Sequence, residues 1–575
     1  MRKFVAGAGV VALSVAGLSW VTAAGAAQRQ AASQQQFVVV YAAGASTDAA
    51  HAAIAFAGGT IVKENKAVGV ATVASANSGF AADATGAAAI QGVARNRVIG
   101  RAPDDAIADR EVQKRDPAQA DLEGATARSG AAAPAAGEEP LAGSQWDMKQ
   151  IGATAAGSYK YQQGNGVRVG ILDTGVDGTH PDIAPNFDRA LSRNFTIDIP
   201  VDANGNVVDG PCEHPSCVDP VDEDDDGHGT HVASTIASPI NKLGIAGVAP
   251  RATIVNLRAG QDSGFFFLQP SVDALTYAGD HGIDVVNMSY YVDPWLFNCV
   301  DNPADSPANQ AEQRTIITAV QRALDYAHNH GVTLVAAAGN GATDYTKTIV
   351  DTSSPDFADT PGEAPYSRTI PPSCISMPSE GNHVLAISST GISKRKAYYS
   401  DYGNGYVDLS APGGDVYDTA DNKRDITKAV LAAYPQHLAQ EAGQLNPDGT
   451  PNVPNVVRDC RSDGVCGYYQ YLQGTSMASP HAAGVAALGV GRLGLPDPRQ
   501  GGKFAFPDLV ELLMRATATD TACPTPAAFT YTRLVLQPDG TFQTVTATHT
   551  CEGTRRNNGF YGDGIINATR VARGF

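Results

Sequence analysis

Val167-Arg168-Val169-Gly170-Ile171-Leu172-Asp173-Thr174-Gly175 is a short apolar run that stops on a carboxylate and a glycine turn. A run of this length, bounded by turn residues, reads as a buried strand. Four similar runs follow at residues 253–257, 285–288, 333–337 and 384–388, and helical stretches lie between them at 231–237, 272–281 and 310–330. Apolar strands alternating with helices imply a mostly parallel central sheet covered on both faces, an α/β fold in three layers. Ligands on such sheets bind beyond the carboxyl ends of the strands.

Four segments stand at or just past such ends. Asp173-Thr174-Gly175 supplies a carboxylate, and Gly227-His228-Gly229-Thr230-His231 opens a helix with an imidazole. Ala338-Gly339-Asn340 supplies an amide, and Gly474-Thr475-Ser476-Met477-Ala478-Ser479-Pro480-His481 opens a second helix with a hydroxyl. These are the parts that acyl transfer from a peptide requires. A serine hydroxyl is too weak an acid to attack a carbonyl unaided, so an imidazole must take its proton. The imidazole needs a carboxylate to hold its tautomer, and the tetrahedral oxyanion needs pre-aimed donors. Pro480 is expected in the first turn of its helix, where a missing N–H costs nothing.

These motifs, in the order Asp, His, Asn, Ser, resemble the subtilisin-like serine proteases, the subtilases, over about residues 145–575. Ser410-Ala411-Pro412-Gly413 and the stretch Tyr561-Gly562-Asp563-Gly564 are similar to further family landmarks. The resemblance implies that Asp173 orients the imidazole, His228 is general base and then general acid, Ser476 is the nucleophile, and Asn340 donates to the oxyanion. It implies a subtilisin-like fold, protein or peptide substrates, and chemistry without a cofactor. It also aligns Asp182 and Asn241 with ligands of a common family calcium site; a structural calcium ion and an ordinary turn-capping role both stay open for this pair.

Working outward, Arg2 and Lys3 precede an apolar run at 4–21 and the small-residue exit Ala24-Gly25-Ala26. This reads as a secretory signal peptide over residues 1–26, so the product is expected outside the cell and off the membrane once the signal is removed. Residues 36–99 read as strand 37–41, helix 47–56, strands 60–62 and 68–73, helix 80–93 and strand 97–99. That β-α-β-β-α-β order is ferredoxin-like. By position and pattern, residues 27–99 resemble the inhibitory propeptide of the same family, an intramolecular partner removed by autocatalysis. Residues 100–140, rich in Ala, Asp, Arg, Gly and Pro, read as an exposed linker and maturation region. The catalytic domain is expected at 141–575, working as a monomer.

The chain has 575 residues and a net charge of −18, with 43% hydrophobic and 17% charged residues. Such an apolar share excludes a disordered chain, and the acidic balance excludes a nucleic-acid binder, which needs a basic surface. The eight cysteines lie at 212, 217, 299, 374, 460, 466, 523 and 551. In an exported chain they read as up to four disulfides among 105 connectivities. Local pairing (212–217, 460–466, 523–551) with 299–374 left over is the cheapest of these.

Other features invite competing readings. His231, three residues after His228, suggests a metal pair, but no His-Glu-x-x-His occurs, and both His231 and His481 are expected to be structural. Asp222-Glu223-Asp224-Asp225-Asp226-Gly227 opens like a calcium loop, yet its twelfth position is Ala233 where a glutamate is required. Ser289-Tyr290-Tyr291-Val292 departs from the Ser-Leu-Gly-Gly typical of the family and is expected to recast the substrate pockets. Two segments at about 342–380 and 415–470, rich in Pro, Gly and Asp, read as surface insertions or loops rimming a cleft. A binding protein built on a silent fold, or a processing protease of narrow specificity, would fit the same motifs.

Overall fold

The computed structural model describes residues 35–96, 98–101, 138–291 and 294–574. The signal read at residues 1–26 and most of the 100–140 linker lie outside the described residues.

The N-terminal unit runs β1 (Gln35–Tyr41), α1 (Thr47–Phe56), β2 (Gly59–Asn65), β3 (Val70–Ser75), α2 (Phe80–Thr85) and β4 (Ile90–Arg95). Its sheet has the order β2-β3-β1-β4, with β1 antiparallel to both neighbours. The helix expected at 80–93 is therefore half helix and half strand. Gly86 caps α2, and Ile90 and Val93 then enter the sheet, where Val93 joins the unit's own core. The run Phe37-Val38-Val39-Val40-Tyr41 is apolar throughout because both faces are covered. Phe37, Val39 and Tyr41 pack with Ile54 and Phe80, while Val38 and Val40 pack with helices of the larger domain. A fifth strand, β5 (Val98–Arg101), leaves this unit and pairs elsewhere.

The larger domain is built on α3 (Trp146–Ile151), β6 (Arg168–Leu172), β7 (Arg193–Asn194), α4 (His228–Ala237), β8 (Thr253–Arg258), β9 (Phe265–Phe267), α5 (Leu268–Asp280), β10 (Val285–Met288), α6 (Pro307–Asn329), β11 (Thr333–Ala337), β12 (Val384–Thr390), β13 (Leu409–Pro412) and α7 (Thr475–Leu493). Seven of these strands form one sheet in the order β13-β12-β11-β10-β6-β8-β7, and every pairing in it is parallel. Alternate side chains along each strand enter opposite layers. Val169, Ile171, Ile254, Val285 and Val335 pack with α4 and α7, while Leu172, Val255, Val286 and Leu334 pack with α5 and α6. The fold class is thus the expected three-layer α/β sandwich.

The two insertions are folded. Residues 342–380 contain a hairpin (Ile349–Asp351 with Arg368–Ile370) anchored by the buried Arg368, which pairs with Asp351 at 2.7 Å and lies over the Trp295 ring. Residues 415–470 supply most of a three-stranded sheet, Val430–Ala433, Val456–Cys460 and Cys466–Leu472, packed beside α4. The disulfides formed are 212–217, 299–374, 460–466 and 523–551. No described helix is long and apolar enough to cross a membrane.

Candidate active site

β6 ends at Leu172, and the next residue, Asp173, is fully buried. Its Oδ1 accepts the Thr174 N–H at 2.9 Å and lies 2.7 Å from His228 Nδ1. A carboxylate at that distance favours the proton on Nδ1 and leaves Nε2 bare.

His228 is the first residue of α4, whose preceding residue, Gly227, has no side chain to cap it. The unpaired N–H groups of the first turn need partners, and Asp224 supplies them. Its Oδ1 accepts from the Gly227 N–H at 2.9 Å and the Thr174 hydroxyl at 3.1 Å; its Oδ2 accepts from the N–H and hydroxyl of Thr230. One carboxylate thus ties the start of α4 to the loop that carries Asp173. Asp226 accepts from the His228 N–H at 3.1 Å, and burial next to Asp224 pushes its carboxyl up to about 6. Gly175 and Gly229 meet at this corner; Gly175 has φ +151°, and a Cβ on Gly229 would strike the Gly175 carbonyl. A methyl group there would push α4, and His228 with it, away from Asp173.

The rest of the acidic run is also committed to protein partners. Asp222 pairs with Arg189, Glu223 lies 3.2 Å from His214, and Asp225 lies 3.1 Å from His437. His231 is buried with Nε2 between the carbonyls of Val430 and Gln470 at 3.2 and 3.1 Å, and burial pushes its imidazole down to about 3. His481 bridges the Met477 carbonyl at 2.7 Å and Asp147 of α3 at 2.9 Å. Both are structural.

α7 begins at Thr475, and its first N–H donates to Asn340 Oδ1 at 2.9 Å; the Thr475 hydroxyl donates to the same oxygen at 2.8 Å. The amide oxygen is thereby consumed, which turns the donor end, Nδ2, the other way. Ser476 is buried, and its hydroxyl donates to the Ser289 carbonyl at 3.3 Å. Pro480 sits inside α7, beyond the first turn, contrary to the expectation from sequence. Its missing N–H leaves the Ser476 carbonyl without the usual i+4 donor, and the Ser289 hydroxyl fills that place at 3.0 Å. Ser289 and Ser476 thus hold each other reciprocally. Sequence reading missed this role, although a proline four residues after the nucleophile is the signal that could have revealed it.

Asp173, Ser289 and Asn340 follow β6, β10 and β11, three neighbouring parallel strands, and α4 packs against α7. All four expected site residues therefore stand at the carboxyl edge of the sheet. The structure thus brings a carboxylate, an imidazole, an amide and a hydroxyl to one edge, with the Ser476 hydroxyl turned to the Ser289 carbonyl. On the oxyanion role that the family resemblance implies for Asn340, replacing it by alanine is expected to lower kcat about 10²–10³-fold with little change in KM, because such a donor serves the transition state more than the ground state. Steady-state kinetics on a peptide amide check this; a matching rise in KM with kcat intact contradicts it.

A sequence profile of the subtilase family matches residues 164–546. The chain belongs to the subtilase family. It is 27% identical to thermitase of Thermoactinomyces vulgaris over 345 residues, 60% of this subtilase and 81% of thermitase. It is 28% identical over 325 residues to a thermophilic serine proteinase of Bacillus sp. (strain AK1), where the match spans 56% of this chain but only about half, 52%, of the relative. Among solved structures, the epidermin leader peptide processing serine protease of Staphylococcus aureus superposes with a TM-score of 0.58 at 19% identity, covering 94% of this subtilase and 98% of that chain. Fervidolysin of Fervidobacterium pennivorans gives 0.53 at 19% identity, covering 94% and 61%. At such identities the likeness is one of fold.

The pair that the resemblance aligns with a calcium site is in contact, with Asn241 Nδ2 donating to Asp182 Oδ1 at 3.0 Å. Asp182 Oδ2 accepts from the Ile245 N–H at 3.2 Å and the Tyr469 hydroxyl at 3.1 Å, while Glu139 and Asp459 accept from the N–H groups of Leu243 and Gly244. Burial pushes the Asp182 carboxyl well up. A calcium ion needs six to eight oxygens turned toward it. Here N–H and O–H donors hold these oxygens, so the pair as built does not fit the ion.

Proposed function

We propose that this subtilase is a secreted serine endopeptidase, made as a zymogen and activated by removing its own N-terminal unit. The observation that carries the catalytic part is the buried 2.7 Å contact between Asp173 and His228 Nδ1, at the edge where Ser476 opens α7. In the proposed reaction, Ser476 Oγ forms a bond to the carbonyl carbon of a peptide as its proton passes to His228 Nε2. Asn340 Nδ2 and a main-chain N–H at the start of α7 receive the developing oxyanion. The imidazolium, stabilised by Asp173, gives its proton to the departing amine as the C–N bond breaks. Water then repeats the sequence on the acyl-enzyme, and the acid product leaves.

The zymogen part is supported by how the N-terminal unit sits. Its sheet covers α5 and α6, with Asn65 donating to Asp273 at 2.8 Å and Lys63 pairing with Asp273 at 2.8 Å. Arg322 of α6 donates to the Tyr41 and Val68 carbonyls, and Arg95 pairs with Glu312 at 3.1 Å and Asp359 at 2.9 Å. β5 then adds antiparallel to β9, Val98 opposite Phe267 and Arg101 opposite Phe265. Strand addition to an exposed edge is how extended peptides are commonly held. Arg95→Ala in the full chain is expected to weaken this docking about tenfold or more, since it removes the cation that Glu312 and Asp359 share across the contact. Activity should then appear earlier in secreted preparations. An unchanged activation time and an unchanged mature N-terminus contradict the inhibitory role of the unit.

One observation favours a narrow specificity within this reading. Phe357 of the 342–380 insertion packs against Phe265 of β9, and the buried Tyr290 ring stacks on Phe266 at 4.0 Å. Aromatic packing on both sides stiffens β9, the edge to which β5 adds, so a randomised peptide library is expected to be cut at a restricted set of sequences. Even cutting without subsite preference contradicts that restriction.

A further inference from the structure

Away from the triad, the amino edge of the sheet gathers a second set of polar side chains. β11 and β12 are neighbours in the sheet, and the residues leading into them carry two histidines. His328 lies in the last turn of α6, just before β11, and His383 stands immediately before β12. Their rings stack with centroids 3.8 Å apart and planes 13° from parallel. A carboxylate joins them from a third element, α8 (Pro507–Thr517), where Asp508 Oδ1 lies 2.9 Å from His328 Nε2. One ligand atom each of His328, His383 and Asp508 lie within 4.8 Å of one another.

The frame of this cluster does not rest on a ligand. Gln321 of α6 donates to Asp325 Oδ1 at 2.7 Å and accepts from the Asn382 N–H at 2.9 Å, which ties the loop bearing His383 to the helix bearing His328. Asp325 and His328 stand three positions apart on one face of α6, and Asp325 Oδ1 lies 3.8 Å from His383 Nε2. The His328 side chain is only 11% exposed, and its Nδ1 is buried without a hydrogen-bond partner among the described residues. Nε2 is therefore the nitrogen that His328 turns to the cluster. The side chains of His383 and Asp508 are open to solvent and free to adjust.

A surface ion pair needs one imidazole and one carboxylate. Here two imidazoles lie face to face with a carboxylate beside each, and with both rings neutral the four groups carry two negative charges. We propose that His328, His383 and Asp508 hold a divalent zinc ion. Neutral imidazole and carboxylate are ligands this ion takes at about 2.0–2.2 Å, which sets neighbouring ligand atoms about 3.3 Å apart in a tetrahedron. The pair at 2.9 Å stands close to that spacing, and the exposed His383 ring closes the set by turning about its side-chain bonds. With the ring turned, Asp325 accepts from its second nitrogen, the part that outer carboxylates play beside metal-bound imidazoles. Water fills the fourth position. Calcium, which takes oxygen ligands, does not suit a pair of imidazoles. The ion would join α6, the entry to β12, and α8, which packs against α7. It would clamp the C-terminal part of the fold from the edge of the sheet opposite the triad.

The test uses the untagged full chain carrying Ser476→Ala, which prevents self-digestion, stripped with a chelator and titrated with zinc chloride by calorimetry. One tight equivalent and a zinc-dependent rise in Tm are expected. His383→Asn suits the left-handed backbone at this position, φ +67°, and removes only the imidazole. Asp508→Asn removes only the charge of an exposed side chain. Each change should weaken that equivalent more than about tenfold. His330→Gln, two residues beyond His328 but stacked on Tyr326, should keep it. No tight zinc binding by the parent, or binding undiminished in either His383→Asn or Asp508→Asn, overturns the proposal. An equal loss in His330→Gln places the ion elsewhere and overturns it too.

Discussion

Ser476→Ala is expected to lower kcat for peptide hydrolysis by roughly 10⁴–10⁶-fold while leaving KM little changed. In the proposed reaction this hydroxyl is the atom that bonds to the substrate. The change should scarcely touch the fold, because Ser476 lies in the first turn of α7, where alanine is well tolerated, and loses only a 3.3 Å bond to the Ser289 carbonyl. That bond is worth about 1 kcal/mol. The variant should also keep its N-terminal unit, appearing as an uncut secreted chain beside processed wild type. Steady-state kinetics and the intact mass of the secreted protein check both halves. Hydrolysis within tenfold of wild type removes Ser476 from the mechanism.

Asp173→Asn is expected to cost about 10⁴-fold in kcat, again with KM nearly constant. The two side chains have the same shape, so the cost lies in the proton. The carboxylate at 2.7 Å accepts from His228 Nδ1 and leaves Nε2 bare. An asparagine amide can instead donate to Nδ1, which places the ring proton on Nε2 and removes the base that the proposed reaction requires. The imidazolium formed during attack also loses its counter-charge in a fully buried setting. Thermal unfolding should shift far less than activity. A fall in activity that merely tracks a fall in stability contradicts the orienting role of Asp173.

Much of this was legible in the sequence because it is local. Strands 285–288 and 333–337 begin and end where the apolar runs do, since a strand buried on both faces is apolar wherever no partner is at hand; the buried Asn287 is matched by the hydroxyls of Ser289 and Ser479. The segments bearing Asp173, His228, Asn340 and Ser476 are short, and each pairs a catalytic group with the glycine or small residue that its turn requires. What escaped is non-local or depends on competition between elements. Residues 90–95 carry no helix breaker except Gly92, yet the open edge of β1 offers a ladder of hydrogen bonds, and that outweighs about two more turns of an isolated helix. The Asp224 cap looked like part of a calcium loop because nothing in the sequence says that Thr174, fifty residues away, is its partner. Pro480 was placed one turn too early, and with it went the role of Ser289.

The most direct test of the central claim is to treat the processed protein with a serine-directed phosphonylating reagent and map the adduct by mass spectrometry. The account expects a single adduct on Ser476, formed in step with loss of peptide hydrolysis and slowed by orders of magnitude in Asp173→Asn. Full hydrolytic activity after Ser476 is modified, or a stoichiometric adduct at another residue with Ser476 untouched, would contradict it.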